Sequence, residues 1–419
     1  MTHFLSLQPV AAVLRRIEAF DILPEEGVPL EDCLGRTLAA AFRAGEDLPG
    51  FDRSTMDGFA VRARDVFGAS ESSPALLDYI GECPMGAVPD LALAPGQTAR
   101  IWTGGMLPQG ADAVVMLEYA RFAGIAGTGL GQVELTRPAA PGDHVLAADE
   151  DARAGQELIP AGKVLRAQEI GLLAALGQAV VAVRRRPRVA VISTGDEVRP
   201  LGETPLPGQV RDVNSHTLTA LARAAGAEVR SLGLVRDSRD DLLAKVREGL
   251  DFADVVLVSG GSSAGQRDYT VGAFSALPGC EILAHGVAVS PGKPLIMARM
   301  GAKSLWGMPG HVASALVCAE VFIRPLLSRL LGRTGELPVW RQSLTAELAR
   351  PVSSAQGRRD YIRVTLEASR TEGGPLLARP VMGKSGVIST LVKAEALVVC
   401  PEDQEGLAAG EMVHVHLLL

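Results

Sequence analysis

From residue 189 onward, the apolar and polar positions follow two alternating periods. The segments 189–193, 228–235 and 255–258 have the apolar pattern of strands, whereas 214–226 and 238–250 carry apolar residues at helical spacing. Parallel strands that follow one another through single helices are joined by right-handed crossovers. The pattern therefore predicts an α/β domain built on a parallel sheet.

The ends of two of these helices carry recognisable signals. Asn214 and Ser238 stand where an N-cap side chain is favoured, and Gly226 follows the first helix, where a left-handed residue is common. Three further segments have helical spacing, and the last of them is apolar enough to be well buried: 8–20, 166–177 and 313–331.

The sequence pattern is different on either side of this region. Between about residues 46 and 149, short β-rich pieces such as ARIWTGG and AVVMLEY alternate with Gly, Pro and Asp turns. Beyond residue 336, DYIRVTLEA and EMVHVHLLL alternate in the same way. Two small β domains are therefore predicted in addition to the α/β domain.

Composition narrows the class of protein. The 419 residues suffice for about two to four domains, and their net charge of −7 argues against a nucleic-acid partner. An anionic ligand would need a locally positive pocket inside this acidic protein. The five cysteines are widely spaced without a C-x-x-C motif, which argues against a zinc site or a disulfide framework and favours a reducing compartment. Neither a signal-peptide pattern nor a run of 18 apolar residues is present, so we expect a cytoplasmic protein outside the membrane.

The most informative stretch is VVLVSGGSSAGQRDY, residues 255–269. The apolar run ends abruptly in Ser259, Gly260, Gly261 and Ser262, and Asp268 follows. A glycine-rich turn after a buried strand lets backbone N–H groups approach an anion, and ligands bind beyond the carboxyl ends of such strands. An acidic oxygen nearby suits a divalent metal. A phosphorylated or oxyanionic ligand with a metal is therefore indicated.

Further candidates each have a plainer interpretation. STGDEV (193–198) places Glu197 after another strand of the same sheet, although such turns also merely connect strands to helices. On composition alone, Asp57 between Met and Gly is better explained as an ordinary turn residue. His311 alone is weak evidence, and His414 and His416 read as ordinary strand residues. Four other residues stand in motifs suited to anions but also in motifs typical of solvated turns: Thr103, Lys293, Gly310 and Arg358.

Taken together, the motifs resemble those of the molybdopterin molybdenumtransferase family, the MoeA and gephyrin E-domain proteins. The resemblance spans nearly the whole chain and rests on FDRSTMDGFAVRARD, TGGMLPQGADAVV, RPRVAVISTGDEV, SGGSSAGQRDY, PGKP, GMPG and KSGVISTL in that order. It implies an elongated multidomain chain of α/β plus β class. The implied domains are a linker and dimerisation domain at 1–45 and 150–182, an inserted β domain at 46–149, a molybdopterin-binding α/β domain at 183–335 and a C-terminal β domain at 336–419.

The resemblance also implies an activity: insertion of molybdate into adenylylated molybdopterin with release of AMP. Asp57, Glu197 and Asp268 would position metal, water or substrate, with Asp57 and Asp268 holding Mg2+ or another divalent cation. Substrate would be bound by Thr103, Gly260, Gly261, Ser262, Lys293, Gly310, Arg358 and Ser385. The implied assembly is a homodimer with each active site between subunits, and a molybdopterin adenylyltransferase is a candidate partner. Asp151 is a weaker match, because EDA stands where the family has GED.

Three departures from the family pattern keep alternatives open. Ser290 stands before PGKP where the family usually has a basic residue, Leu146-Ala147-Ala148 replaces an Arg-rich run, and PGHVASA, with His311 and Val312, replaces PGNPVSA. A catalytically weak cofactor-binding protein and a tungstate-using insertase are therefore alternatives. Adenylyl transfer to molybdopterin is a third, because the α/β domain alone resembles such enzymes.

Overall fold

The computed structural model describes residues 7–123, 131–260, 269–334, 343–369 and 373–418. The chain divides into two compact units. The large unit comprises Met1–Ala40, Ala161–Arg166 and Val181–Leu419, and the small unit comprises Ala41–Pro160 and Ala167–Val180. The predicted four-domain partition is finer than this division and stays a prediction.

A six-stranded sheet forms the centre of the large unit. Its strand order is Glu228–Val235, Arg188–Thr194, Val255–Ser259, Lys303–Met308, Ile296–Met300 and Cys280–His285. The first four strands are parallel, and the sequence predicts the first three of them, whereas the last two are antiparallel to their neighbours. The reversal follows from a tight turn around Gly301, whose φ of 59° suits a two-residue hairpin.

Helices cover both faces of this sheet. Along one strand, Val255 and Leu257 join one apolar core and Val256 and Val258 join another, so the strand is buried on both sides. The helices are Val10–Glu18, Asn214–Ala224, Arg239–Phe252, Tyr269–Ser275, Val312–Cys318 and Arg324–Leu330, with a π-helical turn at Ala319–Ile323 between the last two. The predicted helices at 8–20, 238–250 and 313–331 are confirmed, the last with its π turn inside.

One of the two predicted N-caps is confirmed. The Ser238 hydroxyl accepts a hydrogen bond from the Asp241 N–H at 3.4 Å. The Asn214 prediction is wrong: the helix is capped by Asp212, whose carboxylate accepts from the Ser215 N–H at 3.1 Å. Asn214 is instead the first residue of the helix, and its side chain bonds to other segments.

A second six-stranded sheet closes the large unit at its C-terminal end. Its order is Val289–Ser290, Arg359–Glu367, Leu376–Pro380, Ser343–Leu348, Met412–Leu417 and Ala396–Cys400. The last of these strands also pairs with Arg359–Glu367, so five strands close into a small barrel. Val289–Ser290 pairs with Arg359–Asp360, which brings the PGKP turn against the barrel.

The small unit carries a third six-stranded sheet. Its order is Ala113–Met116, Gly58–Val61, Gln97–Ile101, Ala75–Glu82, Gln132–Leu135 and Ala120–Ala123. All neighbours are antiparallel except Gln97–Ile101 and Ala75–Glu82, which are parallel. The predicted helix at 166–177 is present as Ala167–Ala175.

The remaining elements are short. The short helices are Leu30–Asp32, Ala63–Asp65, Leu117–Tyr119 and Ser389–Lys393. The short strands are Glu25–Pro29, Phe42–Arg43, Arg53–Ser54, Val145–Leu146, Glu157–Ile159, Val180–Arg184, Val198–Arg199, Val210–Arg211, Val352–Ser353 and Gly406–Leu407. All five cysteines are free thiols. Among the described helices, none combines the length and the apolar character that a membrane span requires.

Candidate functional site

Asp57 and Thr103, from the MDG and TGG motifs, are in direct contact in the small unit. The Thr103 N–H and hydroxyl both donate to Asp57 Oδ1, at 2.8 and 2.7 Å. These hydrogen bonds, the backbone one first, hold the pKa of the exposed Asp57 carboxyl below its ordinary value. The carboxylate therefore stays ionised and keeps Oδ2 available.

The backbone around this pair explains the glycines of both motifs. At Gly58, a Cβ would lie 2.1 Å from the Val115 carbonyl oxygen, so only glycine allows the strands to pair this closely. Gly104 has a φ of 83° and donates its N–H to the Ser54 carbonyl at 2.7 Å. The two motifs are distant in sequence, and the pairing of their strands in the sheet brings them together.

In the large unit, three turns meet at the carboxyl edge of the central sheet. Gly260 has a φ of 95°, and a Cβ there would lie 2.1 Å from the Thr194 carbonyl oxygen, so the ends of two neighbouring strands touch. Gly310 lies beside Gly260, with 3.9 Å between its Cβ position and the Gly260 Cα. Glu197, exposed in the turn after Thr194, lies at the same edge. The turns that carry Glu197 and Gly260 therefore lie at one edge, as strand order predicts, and Gly310 lies beside Gly260.

Asn214 joins these turns, and sequence reasoning gave it only a capping role. Its Nδ2 donates to Ser259 Oγ at 2.7 Å and to the Gly310 carbonyl at 2.8 Å. The residue is 8% exposed, so both bonds are shielded from water. Both partners are distant in sequence, and an Asn at the start of a helix is typical of a cap, so the sequence carried no signal for this contact.

Two carboxylates hydrogen-bond to the end of a strand at the same edge. Asp212 accepts from the Ser193 hydroxyl at 3.0 Å, and Asp237 accepts from the Thr194 hydroxyl at 2.7 Å. These bonds fix the last residues of the Arg188–Thr194 strand. Three predicted site residues, Gly261, Ser262 and Asp268, lie outside the described residues.

The PGKP turn opens onto a cavity of about 450 Å³ between the α/β sheet and the C-terminal barrel. Lys293 lies on its wall, and its ammonium makes no ion pair or hydrogen bond with any described residue. Gly292 has a φ of 128°, and a Cβ there would lie 2.2 Å from Cys318 Sγ. The turn is therefore packed onto the helix behind it. The polar side chains on the cavity wall belong to Ser290, Lys293, Ser314, Asp360, Tyr361, Arg363 and Ser385.

The arginine that lines this cavity is not the one singled out by sequence. Arg358 pairs with Asp360 at 2.9 Å, and Arg359 pairs with Glu402 at 2.8 Å, so both members of the GRRDY cluster already have carboxylate partners. Arg363, 9% exposed, lies on the wall and donates to the Gly383 carbonyl at 2.6 Å and to the Thr390 hydroxyl. Its position on an alternating strand is typical of a structural residue, so the sequence carried no signal for it.

Ser385 also lines the cavity and is in contact with one of the departures from the family pattern. Its hydroxyl lies 2.9 Å from His311 Nδ1, and its carbonyl accepts from the Ala313 N–H at 3.0 Å. The turn at Gly310 and His311 thus touches both the sheet edge and the cavity wall. A single histidine has no partner visible in the sequence, so the sequence alone predicts no role for His311.

The other departures are divided between the two units. Ser290 lies on the cavity wall near Lys293, where it contributes a hydroxyl but no charge. Leu146-Ala147-Ala148 lies in the small unit, where the Ala148 N–H donates to Asp52 at 2.7 Å. Asp151 is exposed nearby and lines a separate surface depression with Glu150.

Three family models match successive parts of the chain. The MoeA N-terminal region (domain I and II) matches residues 8–177, a probable molybdopterin binding domain matches 190–329, and the MoeA C-terminal region (domain IV) matches 345–418. Their order along the chain is the order in which the motifs appear.

Curated relatives and solved structures agree with these matches. The molybdopterin molybdenumtransferase of Bacillus subtilis is 33% identical over 413 residues, which cover 98% of this chain and 94% of the relative. Molybdopterin molybdenumtransferase 1 of Mycobacterium tuberculosis is 32% identical over 96% of this chain and 97% of the relative. The crystal structure of a molybdopterin biosynthesis MoeA protein from Pyrococcus horikoshii is 36% identical, covers 98% of this chain and 99% of that chain, and has a TM-score of 0.81. By fold, by motif order and by full-length sequence similarity, this chain belongs to the MoeA family of molybdopterin molybdenumtransferases.

Proposed function

We propose that this protein acts in molybdenum cofactor biosynthesis by inserting molybdate into adenylylated molybdopterin, with release of AMP. The observation that carries the proposal is the cavity behind the PGKP turn. Lys293, Arg363 and Ser385 line it within a protein of net charge −7, and the acidic lining residue Asp360 is paired with Arg358. Two cations and a hydroxyl donor suit a tetrahedral oxyanion, and an acidic protein would concentrate such an anion only at a positive site.

The names of the relatives support the same reaction. Proteins named molybdopterin molybdenumtransferase match nearly the whole chain at about one-third identity. All the motifs that carry the resemblance are present, and three of the loops they form meet at one edge of the central sheet. Because the similarity extends along nearly the whole chain and not only the α/β domain, it favours molybdate insertion over adenylyl transfer.

At the sheet edge, we assign the turns to the phosphate-bearing substrate. The N–H groups of Gly260, Gly261 and Ser262 and of the turn at Gly310 would donate hydrogen bonds to phosphate or pterin oxygens. Glu197 would position a water molecule or the substrate. Asn214 would act through the backbone, because its two hydrogen bonds fix Ser259 and Gly310 relative to one another.

A divalent cation, Mg2+ in the simplest case, would be held by Asp57 and Asp268. Asp57 fits this role, because its carboxyl is exposed, kept ionised by Thr103, and leaves Oδ2 without a hydrogen-bond donor among the described residues. No group of three possible metal-binding side chains occurs in the described part of the chain. Mg2+ characteristically binds through one or two carboxylates and substrate phosphates, so two aspartates suffice. The cation would neutralise phosphate charge when the adenylate is cleaved.

For the assembly, we propose a cytoplasmic homodimer in which both chains contribute to each active site. A molybdopterin adenylyltransferase would deliver the substrate. This proposal rests on the family's architecture.

One observation favours a second candidate, a cofactor-binding protein with weak turnover. Ser290 lies on the cavity wall where the family usually has a basic residue, so the cavity has one cation fewer to hold an oxyanion. The identity of the oxyanion also stays open, because molybdate and tungstate are nearly isosteric.

The test is AMP release from adenylylated molybdopterin by the purified protein with Mg2+, with molybdate, with tungstate and with neither. Release that requires molybdate supports the proposal, and release that tungstate stimulates more strongly would reassign the oxyanion. Tight substrate binding without AMP release under any condition would replace the insertase by the binding protein.

A further inference from the structure

An exposed tryptophan stands beside the proposed metal carboxylate of the small unit. Trp102 directly precedes Thr103 and is 36% exposed. The Thr103 N–H that donates to Asp57 Oδ1 at 2.8 Å belongs to the peptide group that joins Trp102 to Thr103. The backbone therefore fixes the tryptophan next to the carboxylate. Trp102 is not among the residues that line the Lys293 cavity, so the site described above gives it no role.

A cation covers one face of the Trp102 ring. The guanidinium carbon of Arg100 lies 4.5 Å from the centroid of the Trp102 ring and 5.3 Å from the centroid of the Phe59 ring. Side chains two residues apart on extended backbone point to the same face, and Phe59 is the cross-strand partner of Arg100. Cation–π contacts of this kind stabilise the stack. The Trp102 ring therefore has a defined orientation before any ligand binds.

Hydrogen bonds do not explain the position of this guanidinium. Arg100 Nε is buried without a hydrogen-bond acceptor, and Arg100 makes no ion pair with a described residue. Glu82, its neighbour on the adjacent strand, instead accepts from the Tyr79 hydroxyl at 3.4 Å. The contacts with the two rings thus hold Arg100 in place. The plainer explanation for Trp102 is that it only covers this arginine.

The surroundings of Asp57 go beyond what that explanation accounts for. Met56, which precedes Asp57, is 40% exposed, and Met85 is 57% exposed. Met85 packs on the TGG turn, with its Sδ 3.7 Å from the Cβ position of Gly105. Together with Trp102, three large apolar side chains border one ionised carboxylate. A ligand that combines an apolar planar ring with a charged group matches this surface.

We propose that Trp102 stacks on the adenine ring of the adenylylated substrate. This assignment rests on the proposed function, in which Asp57 holds a cation at the phosphates of the adenylate. In that reaction molybdate in the Lys293 cavity must meet the dithiolene, and the adenine is at the other end of the same substrate. The adenine, and not the pterin, is therefore the ring that we assign to Trp102. Stacking requires only a planar face on the base, and an oriented tryptophan supplies its counterpart.

The test is titration of the full-length protein with AMP and Mg2+, followed by tryptophan fluorescence and by calorimetry. AMP should quench part of the emission, and Trp102→Leu should abolish this quenching and weaken AMP binding about tenfold, as expected for loss of one base–aromatic stack. Trp102→Phe keeps an aromatic face and should bind AMP nearly as well as the wild type does. Of the other tryptophans, Trp306 is buried and Trp340 lies outside the described residues, so the comparison with Trp102→Leu assigns the signal.

Two controls separate stacking from phosphate binding and from a general loss of aromatic surface. Ribose 5-phosphate, which lacks the base, should bind at least about tenfold more weakly than AMP. Phe67→Leu removes another aromatic side chain of the small unit, 90% exposed, and should leave quenching and affinity unchanged. Wild-type quenching and affinity in Trp102→Leu, an equal loss in Phe67→Leu, or equal affinities for AMP and ribose 5-phosphate would each overturn the proposal.

Turnover gives a second readout for the same variant. Trp102→Leu should raise the KM for adenylylated molybdopterin with little change in kcat, because the stack is made equally in the ground state and in the transition state. An unchanged KM would also overturn the proposal. If the wild type itself released no AMP, the proposed reaction would fail, whereas the AMP titrations test Trp102 independently of turnover.

Discussion

At the scale of single residues, the proposed chemistry depends on a few polar atoms held by close neighbours. Thr103 keeps Asp57 ionised, His311 orients Ser385, and Asn214 fixes the turn at Gly310. Each contact is between residues far apart in sequence. Single substitutions can therefore remove one contact while the fold remains.

Substitution of Thr103 should shift the acidic limb of the pH–activity profile to higher pH. The pKa of Asp57 is lowered in the folded protein, so the carboxylate stays ionised until the pH falls to that lowered value. Thr103→Val removes the hydroxyl donor and raises the pKa, so protonation and loss of Mg2+-dependent AMP release should begin at a higher pH. Thr103→Ser keeps the donor and should retain the wild-type profile. The assignment of Asp57 to the metal fails if Thr103→Val leaves the profile unchanged at limiting Mg2+.

Substitution of His311 should affect molybdate binding more than turnover. Its Nδ1 lies 2.9 Å from the Ser385 hydroxyl, and a neutral hydrogen bond of this kind contributes about 0.5–1.5 kcal/mol. His311→Ala should therefore raise the KM for molybdate about two- to tenfold with little change in kcat. His311→Asn, which restores the residue of the family pattern, should stay near wild type. Equal KM values for all three proteins would show that Ser385 needs no orientation.

At the scale of elements, strand ends and turns place the site, and glycines allow the closest approaches. Gly260 brings two neighbouring strand ends into contact, and Gly292 lets the PGKP turn pack against the helix that contains Cys318. Both positions combine a positive φ with a lack of room for a Cβ. The cost of the positive φ and the cost of the steric contact can be separated by comparison with a positive-φ glycine whose Cβ position has no neighbouring atom.

Gly292→Ala should destabilise the protein more than Gly279→Ala does. Both residues have positive φ, so both substitutions strain the backbone by about 1–2 kcal/mol. Only at Gly292 does the new Cβ meet a neighbour, Cys318 Sγ at 2.2 Å, which should add about 2 kcal/mol. Urea denaturation of both variants measures the difference. Equal losses would mean that the turn can move away from the helix without cost.

Much of the fold could be predicted because it depends on local pattern. The apolar run at 255–258 and the capping serine at 238 act within a few residues, and both predictions are confirmed. The antiparallel edge of the central sheet was not predicted, since a two-residue hairpin leaves little trace next to long strands. Asn214 was misassigned because its partners, Ser259 and Gly310, are distant in sequence.

The residues of the candidate site also differ in how far the sequence could predict them. Glycine-rich turns after apolar strands are recognisable in the sequence, so Gly260 and Gly310 could be identified as candidates from it. Arg363 could not, because an arginine on an alternating strand resembles any solvated residue, and only the folded structure places it on the wall of the cavity that Lys293 also lines. Its neighbours Arg358 and Arg359 look more suggestive in sequence, yet both are paired with carboxylates.

At the scale of the whole molecule, an acidic protein handles anions through confined positive sites. The net charge of −7 repels anions from the surface at large, and we propose that the oxyanion binds in the Lys293 cavity. High salt should weaken this binding less than it weakens exposed ion pairs, because partly buried charges are less screened.

The proposed homodimer can be tested by complementation between two inactive variants. If both chains contribute to each active site, Asp57→Asn and Lys293→Ala chains, each inactive alone, should form mixed dimers with one intact site of two. Random reassociation of equal amounts should then recover about one quarter of the wild-type rate. Mixing without reassociation is the control and should recover nothing. No recovery in verified mixed dimers would place Asp57 and Lys293 in the same site of one chain.

The most direct measurement for the central claim is the molybdenum content of the pterin product per AMP released in a single turnover. It compares the wild type with Lys293→Ala at the same molybdate concentration. We predict one molybdenum atom per AMP for the wild type, and for Lys293→Ala a loss of both products that high molybdate partly restores. AMP release without bound molybdenum, or an unchanged dependence on molybdate in Lys293→Ala, would contradict the assignment of this cavity to molybdate insertion.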